Sequence, residues 1–231
     1  MNRNIFKIVF LLLGLFVSFS LTSCSEDDEP EKIVNPGEQG GGESNPGGDD
    51  QPGQNDNVIQ KTVTLSRKTN YGNDWIYFSL SEGKELEGIN EDNRAENKSW
   101  DLAFNRYNIR TNSGLSGKGQ GGALDTGLKD LNLIASVPEG EFVVDSMGII
   151  TAGMTGFPPP TMESPLNGVL ADAIHFQGPP PTYTPNEHVY IVKTADGKYA
   201  KIQIQGFYND EGQSGYVTFT YVYQPNGSKN F

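Results

Sequence analysis

The sequence predicts an all-β protein whose folded part is a single antiparallel domain with long loops. Its 231 residues include 28 glycines, 14 prolines and 10% aromatic side chains, a composition typical of turn-rich β proteins. Several segments alternate apolar and polar residues with a period of two, which places successive side chains on opposite faces of a sheet. Sustained helical periodicity is missing throughout. A mostly β fold is therefore expected.

The strand pattern recurs along the chain in Lys61–Leu65, Trp75–Leu80, His188–Thr194, Tyr199–Gln205 and Tyr216–Tyr223. An Asp-Gly pair in Ala195-Asp196-Gly197-Lys198 is typical of a hairpin turn. The apolar residues of the last two segments share one face and are expected to form half of the core: Ala200, Ile202, Ile204, Val217, Phe219, Tyr221 and Tyr223.

Long loops are expected across Asn112–Gly127 and Gly153–Pro185, where the alternation is lost. Loops of that length usually carry function. Between the strands, Trp100 and Tyr107 are expected to anchor the core, and Asp101 is expected to accept hydrogen bonds from backbone N–H groups.

The N-terminus resembles a bacterial lipoprotein signal peptide, which the mature protein lacks. Arg3 and Lys7 precede the uncharged run Ile8–Leu21, which ends in Leu21-Thr22-Ser23-Cys24. The resemblance implies cleavage after residue 23 and acylation of Cys24, with palmitate among the acyl groups. An ordinary secretory signal is the alternative. The acidic run that follows is similar to the tract that carries Bacteroides-group lipoproteins to the outer face of the cell, or it is simply solvated.

Residues 24–57 are predicted to form a flexible tether. From Asn35 to Asn57 the chain has no aromatic or aliphatic side chain to bury, so it cannot offset the entropy lost on ordering. Residues 24–57 contain ten acids and one lysine, a net charge of −9, whereas Val58–Phe231 carries only −5. The folded domain is therefore expected at 58–231, large enough for a core without disulfides.

Charge and motif spacing exclude several functions. With 17 basic against 29 acidic residues, the chain would repel the phosphates of nucleic acid. Gly117–Gly122 matches G-x-G-x-x-G, but no helical pattern follows to hold a phosphate. His175 and His188 are the only histidines and Cys24 the only thiol, so a zinc site is not expected. No serine lies in a G-x-S-x-G elbow, and we do not expect an enzyme.

Several segments resemble the HmuY family of haem-binding lipoproteins. They are Ser99–Gly114 (SWDLAFNRYNIRTNSG), Ser116–Ala123 (SGKGQGGA), Gly178–Tyr183 (GPPPTY), the Ala195–Lys198 turn and Val217–Tyr221. The likeness extends over nearly the whole domain, from about Lys61 to Tyr223. It implies an all-β fold shaped like a gripping hand, with haem held between loops by two axial side chains.

The resemblance also implies where the two haem ligands lie. The founding member of the family uses two histidines, and this sequence departs from it at the first ligand. Other members use methionine. The corresponding loop here contains no histidine and offers Met162, within two positions of the expected site, and Met154, which lies earlier. The second ligand should precede Gly178–Tyr183, where strict spacing gives Phe176 and His175 is one residue before it. The resemblance therefore implies Met162 and His175 as the axial ligands of the haem iron, with Met154 as a further haem-binding candidate.

Each of these residues also has a structural interpretation. Met162 and Met154 are otherwise gap-filling side chains, and His175 is a hydrogen-bonded histidine at a strand edge. Met147 and His188 are expected in turns or packing. The glycines from Gly114 to Gly122 allow either close approach of a ligand or a run of turns. Three aromatic residues are expected either to form the apolar walls of a porphyrin site or simply to pack the loops: Phe157, Phe176 and Tyr183.

The sequence therefore predicts a lipid-anchored protein of the outer membrane, exposed at the cell surface, that binds haem as cargo. It is expected to pass haem to an outer-membrane transporter of the TonB-dependent type. The alternative is a non-haem lipoprotein of the same fold that mediates protein or glycan contacts, which the missing first histidine favours. A hydrolase is the third and weakest hypothesis.

Overall fold

The computed structural model describes residues 58–67 and 70–231, which are almost entirely β. In chain order the strands are β1 (Ile59–Thr64), β2 (Ile76–Ser79), β3 (Lys84–Leu86), β4 (Leu102–Asn105), β5 (Asn108–Thr111), β6 (Gly122–Asp125), β7 (Ser146–Thr151), β8 (Thr161–Leu166), β9 (Ile174–Gln177), β10 (Thr182–Pro185), β11 (Val189–Lys193), β12 (Tyr199–Tyr208) and β13 (Ser214–Gln224). Two short 3-10 helices occupy Leu131–Leu133 and Leu170–Asp172.

The predicted signal peptide at 1–23, Cys24 and the tether at 24–57 lie outside the described residues. Within the part of the chain that the structure describes, no helix has the length and apolar character needed to cross a membrane.

A large antiparallel sheet has the strand order β1-β13-β12-β11-β6. It contains the predicted closing strands, although β12 and β13 are longer than their alternation suggested. The Asp-Gly turn joins β11 to β12, and Gly197 adopts a φ of 87°, the left-handed region that favours glycine. All seven residues predicted to form half of the core are buried.

A small antiparallel sheet has the order β3-β2-β4-β5 and faces the large sheet. Phe78 of β2 and Phe104 of β4 each pack against Phe219 of β13, with ring centroids 5.3 Å apart. This packing removes the inner faces of both sheets from water, which is the main source of stability for such a sandwich.

The outer face of the small sheet is buried as well. Trp75, Tyr77 and Trp100 form a second apolar cluster there with Ile150 of β7, and Met162 of β8 packs against it. A two-stranded hairpin therefore covers this face. For that reason every residue of β2, β4 and β5 is buried, including the polar Asn108, Arg110 and Thr111 of β5.

The expectation of a continuous loop across Gly153–Pro185 is wrong. That segment contains β8, β9 and β10, which form two hairpins: the first hairpin, β7–β8 (146–166), and the second hairpin, β9–β10 (174–185). Prolines at the strand ends and at the tips of these hairpins hide the alternating strand pattern in the sequence. Each hairpin forms its own two-stranded sheet. Likewise, Asn112–Gly127 contains β6, which pairs with β11 at the edge of the large sheet.

The glycine-rich run packs tightly around Asn112, whose amide donates to the carbonyls of Asn97 and Trp100. A Cβ placed on Gly119 or Gly121 would lie 2.5 or 2.7 Å from the Asn112 carbonyl oxygen. The run leads into strand β6 rather than a helix. Its glycines are thus explained by close backbone packing, and it lacks the helix N-terminus of a phosphate-binding loop.

Candidate functional site

The tip of the first hairpin exposes large apolar side chains. It spans residues 152–160 and is closed by a hydrogen bond from the Ala152 N–H to the Pro160 carbonyl (2.8 Å). Met154 is 60% exposed and Phe157 is 99% exposed. The Met154 thioether is thus accessible to a ligand, whereas Phe157 does not form the predicted wall with the other two aromatic residues.

Met162 has a different environment on the same hairpin. It lies opposite Ile150 in the β7–β8 ladder and packs against the cluster on the outer face of the small sheet. Its side chain is half-buried there. The structural interpretation of Met162 as a gap-filling residue describes this contact, while its ability to ligate a metal stays a prediction.

On the second hairpin, His175 and Phe176 point to opposite faces because they are neighbours in β9. Phe176 faces the domain: its ring lies parallel to that of Tyr107 (centroids 6.0 Å apart, 8° between planes) and 5.3 Å from that of Tyr183. Phe176 is still 53% exposed. His175, opposite Thr184 in the ladder, is exposed. An imidazole donor and an aromatic platform therefore occupy different faces of one ribbon.

Gly72 contacts the first hairpin, and its neighbour Tyr71 contacts Tyr183 of the second. The Gly72 N–H donates to the Thr151 carbonyl at the distal end of β7 (3.0 Å). Beside it, the Tyr71 ring lies 4.6 Å from the guanidinium carbon of Arg106. Burial raises the pKa of the Tyr71 phenol, with the nearby Tyr183 contributing in the same direction against the opposing charge of Arg106. The phenol therefore stays protonated at neutral pH.

Arg106 contacts the second hairpin through Tyr183 of β10. It is buried, donates from Nη2 to the Tyr183 hydroxyl (3.0 Å) and lies within 5.7 Å of the Phe207 ring centroid. Its φ of 52° is unusual for a side chain of this size and is kept because packing around it is extensive. Sequence reasoning did not identify Arg106; a charged residue inside the apolar LAFNRYNI segment was the available signal.

A buried network fixes the first hairpin to the small sheet. Arg110 of β5 donates to the Pro165 carbonyl (2.6 Å), to the Ser164 hydroxyl (2.7 Å) and to Glu91 (2.6 Å). Burial alone would raise the pKa of Glu91, but the hydrogen bonds and charges of Arg110 and Arg94 outweigh it and lower that pKa. The guanidinium carbon also lies 3.7 Å from the Trp75 ring centroid.

A cavity of about 610 Å³ is present near the ends of β1 and β3. Val63, Trp75, Phe78 and Leu86 contribute to its lining, and none of the three predicted haem ligands does. Among residues 58–67 and 70–231, no group of three His, Cys, Asp or Glu side chains is arranged to hold a metal ion.

The protein-family comparison decides the relationship that the sequence segments suggested. The model of the HmuY protein family matches residues 71–221, well over half of the chain. This chain belongs to the HmuY family. A search of curated proteins finds no match.

Solved structures show the HmuY fold. The chain is 28% identical to a structure from Bacteroides vulgatus ATCC 8482 described as an HmuY-like haem-binding protein, covering 71% of this chain and 92% of that one, with a TM-score of 0.59. A structure from Bacteroides fragilis NCTC 9343, described as a lipoprotein, is 27% identical over 71% and 91% of the two chains (TM-score 0.57). The apo HmuY analog of Tannerella forsythia, 23% identical over 73% and 97%, shares the fold (TM-score 0.58).

Within this HmuY fold the predicted site residues divide between two elements. Met154 and Met162 belong to the first hairpin and His175 to the second. Tyr183 and Phe176, predicted as walls, do lie together, with Tyr107 as a third ring. The other two candidates considered are placed in packing or surface roles: His188 contacts Asp125 through Nδ1 (3.0 Å), and Met147 is 52% exposed on β7.

Proposed function

We propose that this HmuY-family protein binds haem between its two hairpins without catalysing a reaction. The supporting observation is that each hairpin presents an exposed soft or borderline donor, Met154 on the first and His175 on the second. Gly72 contacts the first hairpin through Thr151, and Tyr71 contacts Tyr183 of the second. Methionine sulfur and neutral imidazole are both ligands of haem iron. The haem-binding description of the B. vulgatus neighbour supports the same ligand.

We favour Met154 and His175 as the ligand pair because both side chains are already exposed. Both side chains are accessible, whereas Met162 would have to leave its contact with the apolar cluster on the small sheet. Met162 is retained as the third candidate because it lies in the loop that the family resemblance assigns to the first ligand.

A haemin titration of the chain lacking residues 1–23 and carrying Cys24→Ser tests the proposal. The oxidised and dithionite-reduced visible spectra are recorded for the wild type and for Met154→Leu, Met162→Leu and His175→Ala. Leucine keeps the apolar volume of methionine and removes only the sulfur. Met147→Leu is the matched control because Met147 is 52% exposed on the same hairpin.

We expect Met154→Leu and His175→Ala to change the Soret band and weaken binding at least tenfold, about 1.4 kcal/mol. Met147→Leu should leave both unchanged. A spectrum that responds only to Met162→Leu would reassign the first ligand. If no variant differs from the wild type, this ligand set is incorrect, and if the wild type leaves the haemin spectrum unchanged, haem binding itself is refuted.

We further propose that Cys24 is lipidated and anchors the protein at the cell surface, where bound haem passes to an outer-membrane transporter. The lipoprotein description of the B. fragilis neighbour supports the anchor. Removal of residues 1–23 with Cys24→Ser should move the protein from the membrane fraction to the soluble fraction, since the anchor is acyl chains. Continued fractionation with membranes would contradict this.

One observation favours the alternative of a non-haem contact protein. Met147 and Ile149, two residues apart on β7, are 52% and 62% exposed and share the outward face of the first hairpin. Adjoining exposed apolar side chains can contribute to the contiguous apolar patches that mark protein contacts. The haemin titration separates the two functions, because a protein-contact surface predicts no change in the haemin spectrum.

A further inference from the structure

Both ends of the first hairpin meet at one buried carboxylate. Asp145 immediately precedes β7 and Asn167 immediately follows β8, and both side chains are buried. The Asn167 side-chain amide donates to Oδ1 of Asp145 at 2.9 Å. This contact closes the open end of the ribbon.

Asp145 also ties that end to the small sheet. Its Oδ2 accepts the Thr111 N–H (2.9 Å) and its Oδ1 accepts the Thr111 hydroxyl (2.6 Å). The Asp145 N–H donates to the Ser113 hydroxyl (3.1 Å), and the Asp145 carbonyl accepts the Leu115 N–H (3.0 Å). Side chain and backbone thus hold the start of β7 against the end of β5.

Asn167 fixes the end of β8 in the same way. Its N–H donates to the Ile109 carbonyl (3.0 Å), and its side-chain amide also donates to the Val143 carbonyl (2.8 Å). Its Oδ1 accepts the N–H groups of Val169 and Leu170 at 3.1 and 3.2 Å. The polar atoms of this side chain are therefore all engaged in holding the base of the hairpin.

The base matters because the hairpin is long and paired only with itself. A two-stranded ribbon is marginally stable alone, so its direction depends on its attachments to the rest of the domain. These are the packing of Ile150 and Met162 on the small sheet and the Asp145–Asn167 contact at the base. The six residues of β7 span about 20 Å at 3.3 Å per residue. A tilt of about 10° at the base would therefore move the tip by about 3 Å, whereas a binding site must be held within about 0.5 Å.

We propose that Asp145 and Asn167 are a positioning pair that sets the direction of the first hairpin and hence the place of its methionine sulfur relative to the second hairpin. This inference rests on the proposed haem function for its ligand. Neither residue touches the ligand; they act through the hairpin alone.

Asp145→Asn is the sharpest test. The new amide cannot satisfy both sides of the carboxylate, because its NH2 group must face either the Thr111 N–H or the Asn167 amide, which are both donors. The matched control is Asp101→Asn. Asp101 is similarly buried and accepts the N–H groups of Leu80 and Ala195, both at 2.9 Å, but contacts neither hairpin in these bonds. Amide hydrogen exchange without haemin, urea unfolding and haemin titration are measured for both variants.

We expect both variants to lose global stability. Only Asp145→Asn should accelerate amide exchange across 146–166 by more than its loss of global stability explains. Only this variant should also weaken haemin binding at least tenfold and change the haemin spectrum. If Asp145→Asn fails to fold, Thr111→Val removes one donor to Oδ1 without changing shape, with Thr220→Val as its control because Thr220 is bonded to Thr62 in the large sheet.

Equal exchange across the hairpin in the test and control variants would overturn the proposal. Haemin affinities that simply follow global stability in both would overturn it as well. The exchange measurement requires no haem, so it decides whether the pair holds the hairpin even if the wild type fails to bind haemin. That second failure would refute the proposed function and with it the pair's role in ligand placement.

Discussion

Replacement of Arg110 by methionine should be among the most damaging single changes in the domain. Its side chain is fully buried and donates to Glu91, Ser164 and Pro165 at 2.6–2.7 Å. Methionine can fill the space of the aliphatic stem but offers no donor. The variant leaves a carboxylate, a hydroxyl and a carbonyl without this partner at the contact between the small sheet and the first hairpin.

Removing one partner of a buried ion pair costs about 3–5 kcal/mol, because the other charge is left uncompensated. Glu91 keeps its bond to Arg94 (2.9 Å) and its side chain is 26% exposed, so the lower end applies. We therefore expect a loss of about 3 kcal/mol in the free energy of unfolding. Because the pKa of Glu91 is lowered in the folded protein, this stabilisation is present at neutral pH and is lost as the pH falls through that lowered value.

Urea unfolding at pH 7 measures this loss, which at a slope of about 2 kcal/mol per molar urea moves the midpoint by about 1.5 M. Lys84→Met is the control: Lys84 pairs with Glu82 at 2.7 Å, but the two side chains are 62% and 48% exposed. An exposed pair of this kind contributes about 1 kcal/mol or less. Similar midpoint shifts for the two variants would refute the argument that burial determines the value of the Arg110 pair.

Two further predictions concern other parts of the domain. Burial raises the pKa of Asp101 to about 6, against the opposing hydrogen bonds from Ala195 and Leu80. The contribution of Asp101 to the free energy of unfolding is therefore fully present below about pH 3.8 and is lost as the pH rises through about 6. The difference in this free energy between wild type and Asp101→Asn should change by about 3 kcal/mol across that window, and a pH-independent difference would contradict this. Gly119→Ala should destabilise the domain by about 2 kcal/mol or more, since the new Cβ would lie 2.5 Å from the Asn112 carbonyl oxygen, whereas Gly168→Ala, with no atom within 4 Å of its Cβ, should be close to neutral in the same unfolding assay.

The candidate site was only partly accessible from sequence. The family resemblance led to Met162, Met154 and His175, and the structure distributes them over two hairpins. Arg106 and Tyr71, which contact Tyr183 of the second hairpin, were missed, because their contact joins two segments 35 positions apart in the chain. Asp145 was missed for the same reason: its partners Thr111 and Asn167 belong to other elements.

The sequence by itself determined the all-β class, the closing strands and the Asp-Gly turn, because alternation and turn chemistry act over a few neighbouring residues. Only the tertiary structure decided that the small sheet is buried on both faces and that Gly153–Pro185 contains β8, β9 and β10, which belong to two hairpins. It also decided that Phe176 faces the domain while its neighbour His175 faces solvent. Each of these outcomes depends on which distant segment covers a given face, and a one-residue change in register would reverse it.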